Sequence, residues 1–136
     1  MTGPRVLLVD DDRAIREALR DVLGEVGMEI VGEAANGVDG VSVAKAVEPD
    51  VVVMDLRMPR LGGLDAARMI RRALPATQVV LFTVYDDQAL TEAGARAGVF
   101  AYLVKGCPPG QVAEVIHQAW QWKRGLEDTG VRPPAG

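Results

Sequence analysis

Cysteine, histidine and aromatic side chains are all scarce in this chain of 136 residues, which has one Cys, one His and only 4% Phe, Trp and Tyr. A lone Cys107 cannot close an intramolecular disulfide, which suits a reducing compartment. His117 stands beside Ile116 and Gln118 in a helix-period stretch, has no second ligand at useful spacing, and reads as a surface residue. No run approaches the roughly 18 consecutive apolar residues of a membrane helix. The N-terminus MTGPRVLLVDDD meets acid too soon for a signal peptide, so a cytoplasmic chain without a membrane partner is expected. A basic excess is missing too: 15 Lys and Arg face 19 Asp and Glu, a net charge of −4. Direct nucleic-acid contact by this segment is therefore not expected.

What is present, 49% hydrophobic and 25% charged residues, is the balance of one ordinary globular domain. Five apolar runs read as strands: RVLLVD at 5–10, MEIVGEA at 28–34, DVVVMD at 50–55, QVVLFT at 78–83 and VFAYLV at 99–104. Three are almost unbroken, as in parallel strands covered on both faces, while the second carries acids and reads as an edge. Between them lie helix-period stretches. Ile15, Leu19, Val22, Leu23 and Val26 recur over 13–26, with Gly27 at the cap position. Residues 37–47 present Val38, Val41 and Ala44; residues 64–74 present Leu64, Ala67, Ile70, Arg71 and Leu74 before Pro75. The fourth, 86–97, offers only Leu90, Ala93, Gly94 and Ala97 and should dock least firmly. The last, 109–124, opens at Pro109 and buries Val112, Val115, Ile116 and Ala119, with Trp120 and Trp122 on its flanks. One domain over 1–124 and a flexible tail or linker stub over 125–136 complete the expected organisation.

This alternation predicts an α/β fold, a doubly wound five-stranded parallel sheet with helices on both faces. In such sheets ligands bind beyond the carboxyl ends of the strands. Asp10, Asp11, Asp12, Asp55, Thr83 and Lys105 stand at those ends. Converging carboxylates repel, so one takes up a proton or a cation joins them. With no His or Cys among them, oxygen donors favour Mg²⁺, Mn²⁺ or Ca²⁺ over Zn²⁺, and Mg²⁺ commonly completes its shell with water and phosphate. A carboxylate beside such a metal can attack phosphorus and form an acyl phosphate, while a lysine and a hydroxyl stabilise the transferring oxygens. Asp55, at the end of a rigid buried strand, suits the nucleophile. Asp12 reads as a helix cap.

LLVDDD at 7–12, MDLRMPRLGG around Asp55, VVLFT ending at Thr83 and AGVFAYLVKG with Tyr102 and Lys105 together resemble the receiver domain of two-component response regulators, over nearly the whole chain. The resemblance implies a flavodoxin-like (βα)5 fold with strand order 2-1-3-4-5. It implies Asp55 as phosphoacceptor, Asp11 as direct Mg²⁺ ligand, Asp10 as its water-bridged neighbour, and the Arg57 main-chain carbonyl as a further ligand, with Mn²⁺ as a substitute metal. Thr83 and Lys105 match the groups that bind phosphoryl oxygens; Thr83 and Tyr102 match the switch pair. Further implications are a sensor histidine kinase as donor, self-catalysed phosphorylation and slow dephosphorylation, and an output surface on the fourth helix, fifth strand and last helix. That surface would serve partner or homodimer contacts and so control transcription.

Two departures from the family pattern stand out. Gly106 follows Lys105 where Pro is usual, and Gly62 fills the polar slot of the Met-Pro-x-x-[Asp/Ser]-Gly pattern, which predicts a looser loop. Variation of this kind is similar to the subgroup with a C-terminal helix-turn-helix output domain, and a stand-alone receiver and one cut from a DNA-binding regulator both fit. Three other readings share part of this pattern. A haloacid dehalogenase phosphatase would share the Asp10-x-Asp12 pattern but needs its nucleophile on the first strand and a further carboxylate pair downstream. A flavodoxin-like carrier needs a Ser/Thr/Gly-rich phosphate loop where DDDRA stands and would repel a flavin phosphate. The third rival is a binding module that keeps the fold without using phosphate.

Overall fold

A computed structural model of the chain describes residues 3–129. The elements alternate: β1 (Arg5–Val9), α1 (Arg13–Glu25), β2 (Glu29–Ala34), α2 (Gly37–Val47), β3 (Val51–Met54), α3 (Gly63–Ala73), β4 (Gln78–Thr83), α4 (Gln88–Arg96), β5 (Ala101–Val104) and α5 (Pro109–Thr129). The strands form one parallel sheet in the order β2-β1-β3-β4-β5, so the expected class and strand order hold.

Strand side chains alternate between faces, and both faces are covered, which is why the strands are written in continuous apolar residues. Leu7, Val9, Val52, Met54, Val79 and Leu81 point to one side, against Val41 and Ala44 of α2 and Ala66, Ala67 and Ile70 of α3. Val6, Leu8, Val51, Val53, Val80 and Phe82 point to the other, against Leu23 of α1 and Val112, Ile116 and Ala119 of α5. Each fully buried Leu or Ile contributes about 1.5–3 kcal/mol of hydrophobic stabilisation. The acid-bearing β2 is an edge strand, as expected. Within α4 only Gly94 is buried, whereas α3 buries four residues, which matches the weaker docking anticipated for α4.

Several boundaries differ from the sequence reading. Strands one and three stop at Val9 and Met54, one residue before Asp10 and Asp55. The ladder still holds both aspartates, because the Asp10 N–H donates to Ala34 O at 3.0 Å and the Asp55 N–H to Val9 O at 2.9 Å. Val26 and Val38 are 60% and 40% exposed, so neither belongs to the buried face assigned to it. Arg71 does face inward, but its guanidinium serves main-chain carbonyls, donating to Pro75 O at 2.7 Å and Thr77 O at 2.6 Å.

The largest difference is in α5, which passes residue 124 and runs to Thr129. Leu126, seven residues after Ala119, is 8% exposed and extends the inward stripe by two turns. Lys123 anchors this extension, bonding Asp50 and Glu127 at 3.0 Å each. The tail expected from residue 125 is thus helical through Thr129, and its remainder, residues 130–136, lies outside the described residues.

Candidate functional site

Asp10 and Asp55 stand side by side because β1 and β3 are neighbours in register, Val9 opposite Met54. Both residues are buried, at 3% and 9% exposure, while Asp11 at the rim is exposed. One carboxylate oxygen from each of Asp10, Asp11 and Asp55 falls within 4.8 Å of the others. The main chain fixes their orientation: Asp10 Oδ1 accepts the Asp12 N–H at 2.9 Å and Asp55 Oδ1 the Leu56 N–H at 2.7 Å. Arg16 of α1 braces the same turn by donating to the Asp10 carbonyl at 2.6 Å. Asp12 is the N-cap of α1, accepting the Ala14 N–H, in line with its reading as a cap.

Lys105 reaches in from the end of β5. Its Nζ lies 2.8 Å from Asp10 Oδ2 and 3.3 Å from Asp55 Oδ2, and its backbone N–H donates to Thr83 O at 2.6 Å. Burial is the largest influence on Asp10 and raises its pKa; the hydrogen bonds from Lys105 and the Asp12 N–H pull the other way without cancelling it. For Lys105 burial alone would lower the pKa, but Asp10 and Asp55 outweigh it and raise the ammonium above its ordinary value. The lysine is therefore held as a cation.

Thr83, at the end of β4, is fully buried, and its Oγ1 has no hydrogen-bond partner. Such hydroxyls are rare because desolvating one without a partner costs roughly 1–3 kcal/mol. A hydroxyl of this kind, on the residue whose carbonyl accepts the Lys105 N–H, is suited to an incoming polar group. The donor set fits a hard divalent cation: three carboxylates, with no His or Cys among them.

The other predicted residues lie around this cluster. Arg57 is exposed, its guanidinium carbon 4.7 Å from the Tyr85 ring centroid. Tyr102, partly buried against the α2/α3-side core, donates its hydroxyl to Tyr85 O at 2.5 Å. Burial raises the Tyr102 pKa, aided by Asp87, Asp86 and Asp55, so it remains a donor at neutral pH.

Three features were not anticipated. Tyr85 anchors Tyr102 through its carbonyl. Gly63 packs so tightly on the Asp55 carbonyl that a Cβ there would lie 2.2 Å from the oxygen, which fixes the loop despite Gly62 giving α3 no side-chain cap. Gly106 turns the chain at φ +107°, a conformation open to glycine, and no peptide bond among the described residues is cis.

A family model for the response regulator receiver domain matches residues 6–117. The chain is 40% identical over 116 residues to the uncharacterized transcriptional regulatory protein YxjL of Bacillus subtilis, covering 85% of this chain but 53% of YxjL. It is 34% identical to the chemotaxis protein CheY of Thermotoga maritima, covering 85% of this chain and 97% of CheY. Among solved structures, the receiver domain of the putative response regulator NarL from Mycobacterium tuberculosis superposes with a TM-score of 0.85 at 28% identity, covering 89% of this chain and 98% of that one. The chain thus spans about half of the transcriptional relative and nearly all of the chemotaxis protein. Sequence, fold and acidic cleft together place it in the receiver domain family of two-component response regulators, whose general function is to be phosphorylated and to control an output.

Proposed function

We propose that Asp55 is the phosphoacceptor of this receiver, and that Asp10, Asp11, Asp55 and the Arg57 carbonyl hold its Mg²⁺. One Asp55 carboxylate oxygen attacks phosphorus, forming the O–P bond as the bond to the donor's leaving group breaks; that group departs with the electron pair and is protonated from solvent. Mg²⁺ at the cluster would supply positive charge to the transferring oxygens. Lys105 gives its ammonium to the same oxygens, relinquishing part of its contact with Asp10, and the Thr83 hydroxyl donates to another. The observation that carries this reading is one cation bridging two buried carboxylates beside a buried hydroxyl without a partner.

A sensor histidine kinase is the proposed donor, in the cytosol, with slow self-catalysed hydrolysis returning the carboxylate. Phosphorylation adds about two negative charges. Thr83 moving towards them would pull the β4–α4 loop and bias Tyr102, changing the α4–β5–α5 surface. Trp122, 38% exposed on α5, would serve a homodimer or output contact there, with transcription as the end point. Which aspartate takes the phosphoryl group separates this reading from its rivals. Incubation with acetyl phosphate and Mg²⁺ should add one phosphoryl mass to wild type and none to Asp55→Asn. No adduct on folded wild type would favour a phosphate-independent binding module, and an adduct lost only in Asp10→Asn would favour nucleophilic attack from the first strand.

A further inference from the structure

The Arg57 guanidinium sits on the face of Tyr85, and Tyr85 in turn receives the Tyr102 hydroxyl on its main-chain carbonyl. Three loops or strands are joined by these two contacts. Arg57 belongs to the β3–α3 loop, two residues after Asp55; Tyr85 belongs to the β4–α4 loop, two residues after Thr83; Tyr102 belongs to β5. Neither contact uses the carboxylates, Lys105 or the Thr83 hydroxyl, so both can form before any phosphoryl group arrives.

We infer that Arg57 is a positioning residue that acts through Tyr85 to preset Tyr102 in its docked rotamer before any phosphoryl group arrives. This rests on the proposed switch role of Tyr102 and adds what sets its resting population. A cation over an aromatic face is attracted by the ring quadrupole. Here that attraction restrains a loop whose neighbouring side chains otherwise have little to hold them, since Val84 is 63% and Tyr85 38% exposed. Holding the ring fixes the carbonyl of the same residue, and a fixed acceptor favours the Tyr102 rotamer that reaches it. The packing behind Tyr102 is compatible: Gly94 of α4 lies beside the ring, and even a Cβ there would make only ordinary contact with Tyr102 Cδ2, at 3.6 Å. Loosening the stack would free Tyr102 and with it the weakly buried α4.

The chain has two tyrosines, so ring-¹³C tyrosine labelling gives two sets of signals, which Tyr85→Phe assigns. Three-bond couplings about χ1 then give the ratio of docked to undocked Tyr102 in the unphosphorylated protein. Arg57→Met, which keeps the stem but drops the charge, and Tyr85→Ala should each lower that ratio by roughly two- to fivefold. The double variant should lower it no further. Arg57→Lys and Tyr85→Phe should keep most of it, because charge, ring and carbonyl all survive. An unchanged ratio in Arg57→Met, or effects that simply add in the double variant, would overturn the inference. The switch reading is scored separately, in wild type with and without Mg²⁺ and acetyl phosphate. A Tyr102 ratio indifferent to phosphorylation ends the switch reading and the inference with it, whereas a responsive wild type with an indifferent Arg57→Met ends the inference alone.

Discussion

Lys105 Nζ lies 2.8 Å from Asp10 Oδ2, and the carboxylate of that pair is 5% exposed. The ammonium does not fully compensate the burial of its partner, since burial still holds the Asp10 pKa above 3.8. The site is therefore built under electrostatic tension, which a bound cation would relieve.

That tension has a sign. An acid whose folded pKa exceeds its unfolded value binds its proton more tightly when folded, so stability falls as pH rises from 3.8 through the raised folded value. Asp10→Asn, which mimics the neutral acid, should be more stable than wild type at neutral pH, with the difference closing below 3.8. Urea midpoints across pH check this; an Asn variant less stable than wild type at pH 7 would contradict it.

Metal linkage should show in the same protein. At a Mg²⁺ concentration about 100 times Kd, binding to the folded state alone adds about 2.7 kcal/mol. Thermal melts should rise with Mg²⁺, fall back with EDTA, and ignore Mg²⁺ in Asp11→Asn. A Tm insensitive to Mg²⁺ in wild type would remove the metal from the account.

Arg60 occupies the left-handed region at φ +71° in the loop after Asp55. Its ion pair with Asp39, at 3.5 Å between two largely exposed side chains, returns little. Arg60→Asn, better suited to that conformation, should stabilise the fold by about 0.5–1 kcal/mol. Chemical denaturation measures the change, and a loss of stability would show that the Asp39 pair matters more than the backbone.

The extension of α5 is tested by Leu126→Ala. Removing a buried leucine should lower stability by about 2 kcal/mol. A change within about 0.5 kcal/mol, the range of surface substitutions, would mean that Leu126 is not packed.

Much of this architecture was legible in the residues. Buried parallel strands print as runs such as VVVM, and β2, with Glu29 and Glu33, announces an edge. Asp10 and Asp55 blurred two strand ends because their N–H groups keep pairing after the strands stop. The last turns of α5 were hidden because Gly125 and the acids after it dilute the apolar period that Leu126 continues. In the cleft, the convergence of Asp10, Asp11 and Asp55 with Lys105 followed from strand ends alone. The stacking of Arg57 on Tyr85, the Tyr102 bond to the Tyr85 carbonyl and the positive φ of Arg60 did not, since the first two depend on how segments distant in sequence approach one another and the third on the path of the loop after Asp55.

The central claim is that Asp55 carries the phosphoryl group, and borohydride trapping tests it most directly. Reduction of an aspartyl phosphate yields homoserine, which peptide mass mapping locates. After treatment with acetyl phosphate and Mg²⁺, homoserine should appear at position 55 and nowhere else. Homoserine at position 10 or 11, with Asp55 intact, would contradict the account.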